Sequence, residues 1–326
     1  MMTLKAYKQT FESALKKSVS ISAPKNLYSP INYLLSLGGK RLRPILTLMS
    51  ADIFGDNHGN AMDAALAVEI FHNFTLMHDD IMDSAPLRRG KVTVHNKWDV
   101  NAGILSGDAM MIEAYRALEN YSDPLYGKLN RLFSKTAIEV CKGQQYDLDF
   151  ETQSEVSQDE YLEMIRLKTA VLVGCSIRMG AIIGGANDVD SKYLYDFGVK
   201  LGIAFQIQDD YLDAYGNFES FGKQSYGDII ENKKTILYHQ AMKIGSSEER
   251  KALKNWFSCD TTEENQVEKI KSVKSIFDQT GASIASKDLV IKYTESAFDK
   301  LERLNLSNDN KNLFKTFGTN LMKRKF

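Results

Sequence analysis

The distribution of proline is the feature that most restricts the fold of this chain. All five prolines lie at or before residue 124 of 326, so the rest of the chain carries no strong helix breaker. Between Ala61 and Met82, apolar residues recur at three- and four-residue steps, as one face of an α-helix requires. Alternating strand-like runs are scarce, so the sequence predicts an all-α fold. The same spacing predicts helices at Ser29–Leu37, Asn101–Leu118, Tyr161–Gly184, Tyr193–Asp213 and Ile229–Ile244.

The breaks between the predicted helices are short. They contain no Pro/Gly/Ser-rich linker, low-complexity tract or fixed-period repeat. We therefore expect a single domain over residues 1–326. One stretch, Ser246–Lys269, is highly charged. It is either a peripheral insertion or a set of solvent-facing helix surfaces, and the usual exposure of charged residues favours the second interpretation.

Composition excludes several classes of protein. Hydrophobic residues make up 43% of the chain and charged residues 25%, which is typical of globular proteins and not of disordered ones. The 41 Lys and Arg are balanced by 42 Asp and Glu, so no basic excess favours a nucleic-acid partner. No apolar run is long enough for a membrane span, and Met1–Lys17 does not resemble a secretory signal. Three widely separated cysteines fit reduced thiols, and we expect a cytoplasmic protein.

Two acidic clusters with the same spacing carry the main chemical signal. They are Asp79-Asp80-Ile81-Met82-Asp83 and Asp209-Asp210-Tyr211-Leu212-Asp213. Residues four apart are neighbours on a helix, so the first and last aspartates of each cluster can project together. One such cluster could be a solvated helix end, but the second copy favours a site. Carboxylate oxygens suit Mg²⁺, which shares its ligands with substrate phosphates, and we predict a diphosphate held through magnesium ions.

Basic segments near these clusters could bind the same diphosphate. Lys40 and Arg43 lie three residues apart, and Arg88-Arg89 follow the first acidic cluster. Gly222-Lys223 and Asn232–Thr235 follow the second cluster. Arginine offers paired donors to phosphate oxygens, and lysine offers a mobile charge. No segment matches the nucleotide-binding pattern of four residues between Gly and Gly-Lys-Ser/Thr, which disfavours an NTPase.

In combination, these motifs resemble the trans-isoprenyl diphosphate synthase family, also called the polyprenyl synthetases. The resemblance runs from about Tyr28 to Thr235. The family implies an isoprenoid-synthase-type bundle of helices around a deep central cavity, and usually a homodimer. The motifs, in order, are Gly-Gly-Lys-x-x-Arg-Pro, His72, the first acidic cluster, Arg88-Arg89, Lys168-Thr169, Phe205-Gln206, the second acidic cluster and the lysines after it.

The resemblance implies a prenyltransferase that joins isopentenyl diphosphate to dimethylallyl, geranyl or farnesyl diphosphate. The products would be pyrophosphate and a longer all-trans prenyl diphosphate, either farnesyl or geranylgeranyl diphosphate. Three Mg²⁺ ions are expected when substrate is bound. Two alternatives stay open: a class I terpene cyclase, which needs no second diphosphate substrate, and a noncatalytic regulatory subunit, which has less need of two intact acidic clusters.

The family pattern assigns roles to individual side chains. The leading magnesium ligands are Asp79, Asp83 and Asp209, supported by Asp80, Asp210 and Asp213. The side chains expected to hold the allylic diphosphate are Arg88, Lys168, Lys223 and Lys233. Those expected to bind isopentenyl diphosphate without metal are Lys40, Arg43, His72 and Arg89. Thr169 and Gln206 are expected to face the developing allylic cation.

Product length is expected to depend on the residues that precede the first acidic cluster. Phe71 and Phe74 lie eight and five residues before Asp79, on nearly one face of the predicted helix. The resemblance gives bulky residues there the role of a floor that stops chain growth. Both rings could instead simply fill the core, and His72 could likewise be a structural histidine on an apolar helix.

One position departs from the family pattern. Val92 stands in Arg-Arg-Gly-Lys-Val, where many relatives carry proline, which leaves the conformation of the loop after Arg89 open. Two further segments could cover a bound diphosphate, namely Gly216–Gly227 and the basic end Lys323–Lys325.

Overall fold

The computed structural model describes residues 2–18, 23–55, 57–216 and 226–323. Within these ranges the chain forms sixteen α-helices, one π-helix and one two-stranded hairpin, so the all-α prediction is confirmed. None of the described helices is both long and apolar enough to cross a bilayer. The α-helices are α1 (Leu4–Ser18), α2 (Lys25–Ser36), α3 (Leu42–Gly55), α4 (Met62–Met82), α5 (Val94–Lys97), α6 (Val100–Leu118), α7 (Leu125–Thr152), α8 (Gln158–Ile165), α9 (Val171–Ile183), α10 (Asp188–Tyr215), α11 (Gly227–Ile230), α12 (Ile236–Ile244), α13 (Ser247–Phe257), α14 (Gln266–Gln279), α15 (Ala282–Glu302) and α16 (Asn308–Met322). The π-helix is Arg166–Ala170, and the antiparallel strands are β1 (Leu87–Arg88) and β2 (Lys91–Val92).

Most predicted helices are observed with small shifts at their ends, but two predictions need correction. The prediction of one helix over Ile229–Ile244 is wrong, because the chain turns between α11 and α12 with Asn232 in the left-handed region at a φ of 59°. The predicted helix Tyr161–Gly184 contains a π-helical turn that periodicity did not indicate. There the N–H of Val171 donates to the carbonyl of Arg166, five residues back.

The chain divides into two compact units. The first comprises Met1–Thr136 and Leu172–Tyr195, and the second comprises Ala137–Val171 and Asp196–Phe326. The prediction of a single domain over residues 1–326 stays a prediction.

In the first unit, α4 is buried along most of its length. Ala64, Ala65, Val68 and Phe71 lie inside, as the helical period of the sequence requires. α4 packs against α3 and α6, and near its end the Nε2 atom of His78 lies 3.2 Å from the carbonyl oxygen of Ile104 in α6. This packing fixes the last turn of α4, which carries the first acidic cluster.

In the second unit, α10 packs its apolar face against neighbouring helices. Ile203 and Ile207 of α10 lie in one core cluster with Tyr161 and Ile165 of α8 and Ile236 of α12. A second cluster lies around α12, α13 and α14. Because the apolar face of α10 is anchored in this way, the second acidic cluster at its end has a defined orientation.

The charged stretch Ser246–Lys269 is mainly exposed, as predicted. Glu248, Lys251 and Lys254 of α13 face solvent. Lys269 of α14 is the exception, because its relative exposure is 0%.

A buried ion pair joins the segment before α3 to α4. The Nη1 atom of Arg41 lies 2.5 Å from Oε1 of Glu69, and both side chains are 3% exposed. Arg41 also donates through Nη2 to the carbonyl of Leu35 at 2.6 Å, and Asn73 donates through Nδ2 to Oε1 of Glu69 at 3.2 Å. Arg41 lies between Lys40 and Arg43, so this pair fixes both of those cations relative to α4.

Removing one partner of this pair should destabilise the protein strongly. We expect Glu69→Ala to lower the free energy of unfolding by about 3–5 kcal/mol, because it leaves the Arg41 charge buried without a counter-ion. Urea denaturation followed by circular dichroism measures the change. The control is the double variant Arg41→Met/Glu69→Leu, which removes both charges and should recover most of the loss. Equal stability of Glu69→Ala and the wild type would contradict the structural importance of the pair.

Candidate active site

The first acidic cluster forms the C-terminal end of α4. Asp79 and Asp80 lie in its last turn, and Asp83 caps the helix by donating its N–H to the carbonyl of Asp79 at 2.9 Å. The negative end of the helix dipole repels these carboxylates, so a cation would be stabilised here. Asp83 is exposed and the Asp79 side chain is 19% exposed, whereas the Asp80 side chain is 3% exposed. The first and last aspartates are therefore the accessible ones.

Asp80 binds an arginine of the adjacent hairpin. Arg88 donates to its Oδ1 through Nε at 2.8 Å and Nη2 at 2.5 Å, and Nη2 lies 3.6 Å from Oδ2 of Asp79. Burial raises the pKa of Asp80, against the effect of Arg88. Burial alone would lower the pKa of Arg88, but the bond to Asp80 and the charges of Asp80 and Asp79 outweigh it and raise that pKa. Arg88 is thus a fixed cation beside the acidic cluster.

A second group, of positive charge, surrounds His72 on α4. Burial lowers the pKa of His72 well below its usual range, and the charges of Arg43, Arg89, Arg88 and Arg41 lower it further. Burial also lowers the pKa of Arg43 to about 10, with a further contribution from Arg89. The structure therefore brings His72, Arg43 and Arg89 near one another, and their substrate role stays a prediction. The imidazole is neutral, and the guanidinium charges around it would attract an anion.

Local backbone geometry brings Arg89 to this group. Arg89 and Gly90 have φ values of 54° and 72°, which are typical of a tight type I′ hairpin turn between β1 and β2. The turn directs Arg89 to the segment before Lys40, where its Nη1 donates to the carbonyl of Gly38. A Cβ atom on Gly39 would lie 3.0 Å from Arg89 Nη2 at a φ of 140°, so a side chain there is excluded. The hairpin also settles the conformation of the loop after Arg89, which the sequence left open, because Val92 lies on β2.

The second acidic cluster ends α10, and its middle aspartate is again buried. Asp210 accepts hydrogen bonds from the Tyr161 hydroxyl and from Nε2 of Gln206, the latter at 3.0 Å. Burial raises the pKa of Asp210 to about 7, against the opposing effect of these two bonds. Gln206 in turn accepts a bond from the Thr169 hydroxyl at 3.0 Å. Sequence reasoning missed Tyr161, which no motif distinguishes.

The π-helix places Lys168 beside Asp147 of α7. The Nζ atom of Lys168 lies 2.5 Å from Oδ2 of Asp147. The backbones of α7 and the π-helix approach closely here. A Cβ atom on Gly143 would lie only 2.2 Å from the backbone nitrogen of Lys168, so glycine permits this approach. Asp147 was not predicted as a site residue, although its place one turn after Gly143 on a helix is a signal that could have indicated it.

Asp213 caps the short helix that follows the second cluster. Its carboxylate accepts hydrogen bonds from the N–H groups of Gly227 at 3.2 Å and Asp228 at 3.1 Å. In the next turn, Nζ of Lys233 lies 2.8 Å from Oε2 of Glu231. Several predicted elements lie outside the described residues, namely Lys223, most of Gly216–Gly227, and the basic end after Lys323.

Comparison with known proteins identifies the family of the chain. The family model described as "Polyprenyl synthetase" matches residues 24–274. The chain belongs to the polyprenyl synthetase family. The geranylgeranyl diphosphate synthase of Saccharolobus solfataricus is 41% identical over 280 residues, covering 85% of this chain and 83% of the relative. That of Methanosarcina mazei is 36% identical over 295 residues, covering 90% and 88%. A crystal structure of a geranylgeranyl pyrophosphate synthase is 52% identical, covers 100% of both chains and has a TM-score of 0.96.

The family indicated by the motifs is thus confirmed, and so is the prediction of a prenyltransferase. The match to the family extends beyond Thr235, where the resemblance in the sequence became weak, and includes most of α14. The roles of the individual site residues stay predictions, as does a cytoplasmic location.

The two phenylalanines that could limit chain length in this family lie in an aromatic group of the first unit. The rings of Phe71 and Phe74 have centroids 5.3 Å apart, and Phe71 lies equally far from Phe133 of α7. The ring centroids of Phe74 and His78 lie 4.9 Å apart. Phe71 is fully buried, whereas Phe74 is 7% exposed. Phe74 is thus the more accessible of the two, five residues before Asp79.

The aspartates of the two clusters can be tested for their fit to Mg²⁺. Among the described residues, no three His, Cys, Asp or Glu side chains are arranged to hold a metal ion together. The accessible aspartates nevertheless fit Mg²⁺, which takes one or two carboxylates and completes its shell with water and phosphate oxygens.

Proposed function

We propose that this chain condenses isopentenyl diphosphate with an allylic diphosphate and that geranylgeranyl diphosphate is its main product. The names of the relatives support this reaction and product. One structural observation carries the proposal: α4 bears an acidic and a basic site on one face. His72 precedes Asp79 by seven residues. The two residues therefore lie about 10 Å apart along the helix axis and about 20° apart around it. One helix thus contributes residues to two sites: one for a diphosphate bound through metal ions and one for a diphosphate bound without metal.

The basic group around His72 binds isopentenyl diphosphate. Arg43 and Arg89 supply charge, the neutral imidazole of His72 supplies a hydrogen bond, and the exposed Lys40 lies beside them in the chain. The Nε atom of Arg43 is buried and has no hydrogen-bond partner among the described residues. Such an unsatisfied donor is costly, and an anionic substrate would satisfy it.

Asp79 and Asp83 of the first cluster and Asp209 of the second would hold Mg²⁺ for the allylic diphosphate, and the number of three ions stays a prediction. When bound, Mg²⁺ supplies positive charge that stabilises the departing pyrophosphate. Asp80 and Asp210 act differently from the outer aspartates, because both are buried and bonded to protein side chains. They support the site by fixing Arg88 and Gln206.

The cations of the chain stabilise the leaving group while the allylic carbon–oxygen bond breaks. Arg88 and Lys168 are held by Asp80 and Asp147, so their charges are positioned before substrate binds. Lys233 and Lys223 complete this set.

Thr169 and Gln206 stabilise the allylic cation. The Gln206 amide donates to Asp210, which leaves its oxygen, the negative end of the amide dipole, directed to Thr169. The double bond of isopentenyl diphosphate then attacks the allylic carbon, and pyrophosphate takes the proton that leaves. Exclusion of water protects the cation from capture as an alcohol.

The alternatives are less well supported. A terpene cyclase has no second diphosphate to bind, and the basic group around His72 would be without purpose in it. A noncatalytic subunit would need neither the accessible aspartates nor the oriented Gln206.

A homodimer is part of the proposal. The helix α6 exposes an apolar row in which Ile104 is 41%, Leu105 is 60% and Ile112 is 55% exposed. Exposed apolar rows of this kind usually mark contact surfaces. A second copy that packs through the same face would bury both rows symmetrically.

Chain growth from defined primers tests the proposed reaction. The purified full chain is given Mg²⁺, isopentenyl diphosphate and each allylic primer in turn, and the products are resolved by carbon number. We expect an all-trans product with twenty carbons. A cyclic hydrocarbon, or no product until another protein is added, would contradict the proposal.

Substitution of the outer aspartates should abolish turnover. We expect Asp79→Ala and Asp209→Ala each to lower kcat by about 1,000-fold or more, because the charge of the leaving group is no longer stabilised. Circular dichroism should show unchanged helix content. Asp63→Ala and Asp188→Ala, at the opposite ends of the same two helices, are the controls and should retain activity. Nearly normal condensation by either outer variant would refute the metal assignment.

Removal of the Phe74 ring should lengthen the product. The phenyl group lies one to two turns before Asp79, and its loss opens space along the path of the growing chain. We expect Phe74→Ala to shift the products by one or more five-carbon steps, as read by mass spectrometry. Leu76→Ala, on the opposite side of α4, should leave the distribution unchanged. An unchanged distribution in Phe74→Ala would exclude this ring as the floor.

A further inference from the structure

Lys269 of α14 is buried, and its hydrogen-bond partners among the described residues are uncharged groups. With 0% of the residue exposed, its Nζ donates to Oδ1 of Asn232 at 2.5 Å, to Oγ1 of Thr261 at 2.6 Å and to the carbonyl of Cys259 at 3.5 Å. Burial lowers the pKa of Lys269, against the opposing effect of the charges of Cys259 and Asp260. An ammonium group that is moved out of water is costly unless hydrogen bonds compensate for the loss. The three acceptors that compensate for this cost are thereby tied to one point on α14.

The three acceptors belong to the turn between α11 and α12 and to the segment that supports it. Asn232 has a left-handed φ of 59°, and its Nδ2 donates to the carbonyl of Cys259 at 3.1 Å. The Thr261 hydroxyl donates to the carbonyl of Ile230 at 2.6 Å. Lys269 thus lies at the centre of a small polar network that fixes the conformation of Asn232.

The other end of this turn is fixed by the second acidic cluster. Asp213 accepts the N–H groups of Gly227 and Asp228, and the N–H of Lys233 donates to the carbonyl of Asp228 at 2.9 Å. The segment Gly227–Thr235 is therefore held at its start by Asp213 and at its middle by Lys269. Lys233 directly follows the residue that Lys269 binds.

We propose that Lys269 is a positioning residue for Lys233 and, through it, for the allylic diphosphate. It acts by binding Asn232 and does not touch substrate. The inference rests on the role given to Lys233 under the proposed function.

Steady-state kinetics of two variants test the inference. Lys269→Met removes the ammonium, and Asn232→Gly removes the bound side chain while glycine still accepts the left-handed backbone. We expect each to raise KM for the allylic diphosphate by about tenfold, the effect of one charge-assisted hydrogen bond. KM for isopentenyl diphosphate should change less than about twofold, because the group around His72 is intact. Lys271→Met, at an exposed lysine of the same helix, is the control and should match the wild type.

A double-mutant cycle separates positioning from general stability. If Lys269 acts through Lys233, then Lys269→Met should add no further rise in KM to Lys233→Ala, whereas independent effects multiply. A multiplied effect, or an equal rise in KM for both substrates, would overturn the inference and leave Lys269 a structural residue. If Lys269→Met does not fold, the same cycle with Asn232→Gly gives the same decision.

The cycle also separates this inference from the proposed function. A wild type that makes no prenyl diphosphate refutes both. A wild type that condenses normally, together with a Lys233→Ala variant of unchanged allylic KM, overturns the positioning role alone. The positioning role alone is also overturned if Lys233→Ala raises KM for the allylic diphosphate but Lys269→Met and Asn232→Gly do not.

Discussion

The contact between Arg88 and Asp80 is the interaction on which the site of the first unit depends. It joins the first acidic cluster to the arginine of the β1–β2 hairpin through a direct ion pair. Arg88 binds Asp80 and lies 3.6 Å from Asp79, while Asp79 and Asp83 remain more exposed than Asp80, and Arg43 and Arg89 lie near His72. The remaining charges of each sign can then serve different substrates.

The second cluster also has one buried aspartate that is bonded to protein side chains, but its partners are neutral. Asp210 is buried and held by Tyr161 and Gln206, as Asp80 is held by Arg88. Helix geometry explains the likeness, because the second residue of each cluster is rotated about 100° from the first, whereas the fifth returns to nearly the same face. Each cluster therefore has one inward aspartate that supports and an outer pair that is more accessible. Charges and dipoles fixed in this way cost little reorganisation during a reaction.

Support of the second cluster extends farther along the chain than that of the first. Asp213 caps α11, and Lys269 holds the following turn through Asn232, with Lys233 between these anchors and α12. If Lys233 binds substrate as proposed, its short turn needs such anchors, because ordering the backbone only on binding would cost affinity.

The sequence by itself determined the helical class, the family, the residue types of both acidic clusters, and α4 nearly to its ends, whereas α10 begins five residues earlier than the spacing predicted. These follow from local periodicity and from motifs whose spacing is visible in one dimension. The tertiary structure alone decided which aspartate of each cluster is buried, and that Arg41 pairs with Glu69. It also decided the break after α11 and the burial of Lys269, both read wrongly from the sequence. Periodicity reports which face of a helix is apolar. It does not report which distant polar side chain meets a given lysine or aspartate, since that depends on contacts between residues far apart in the chain.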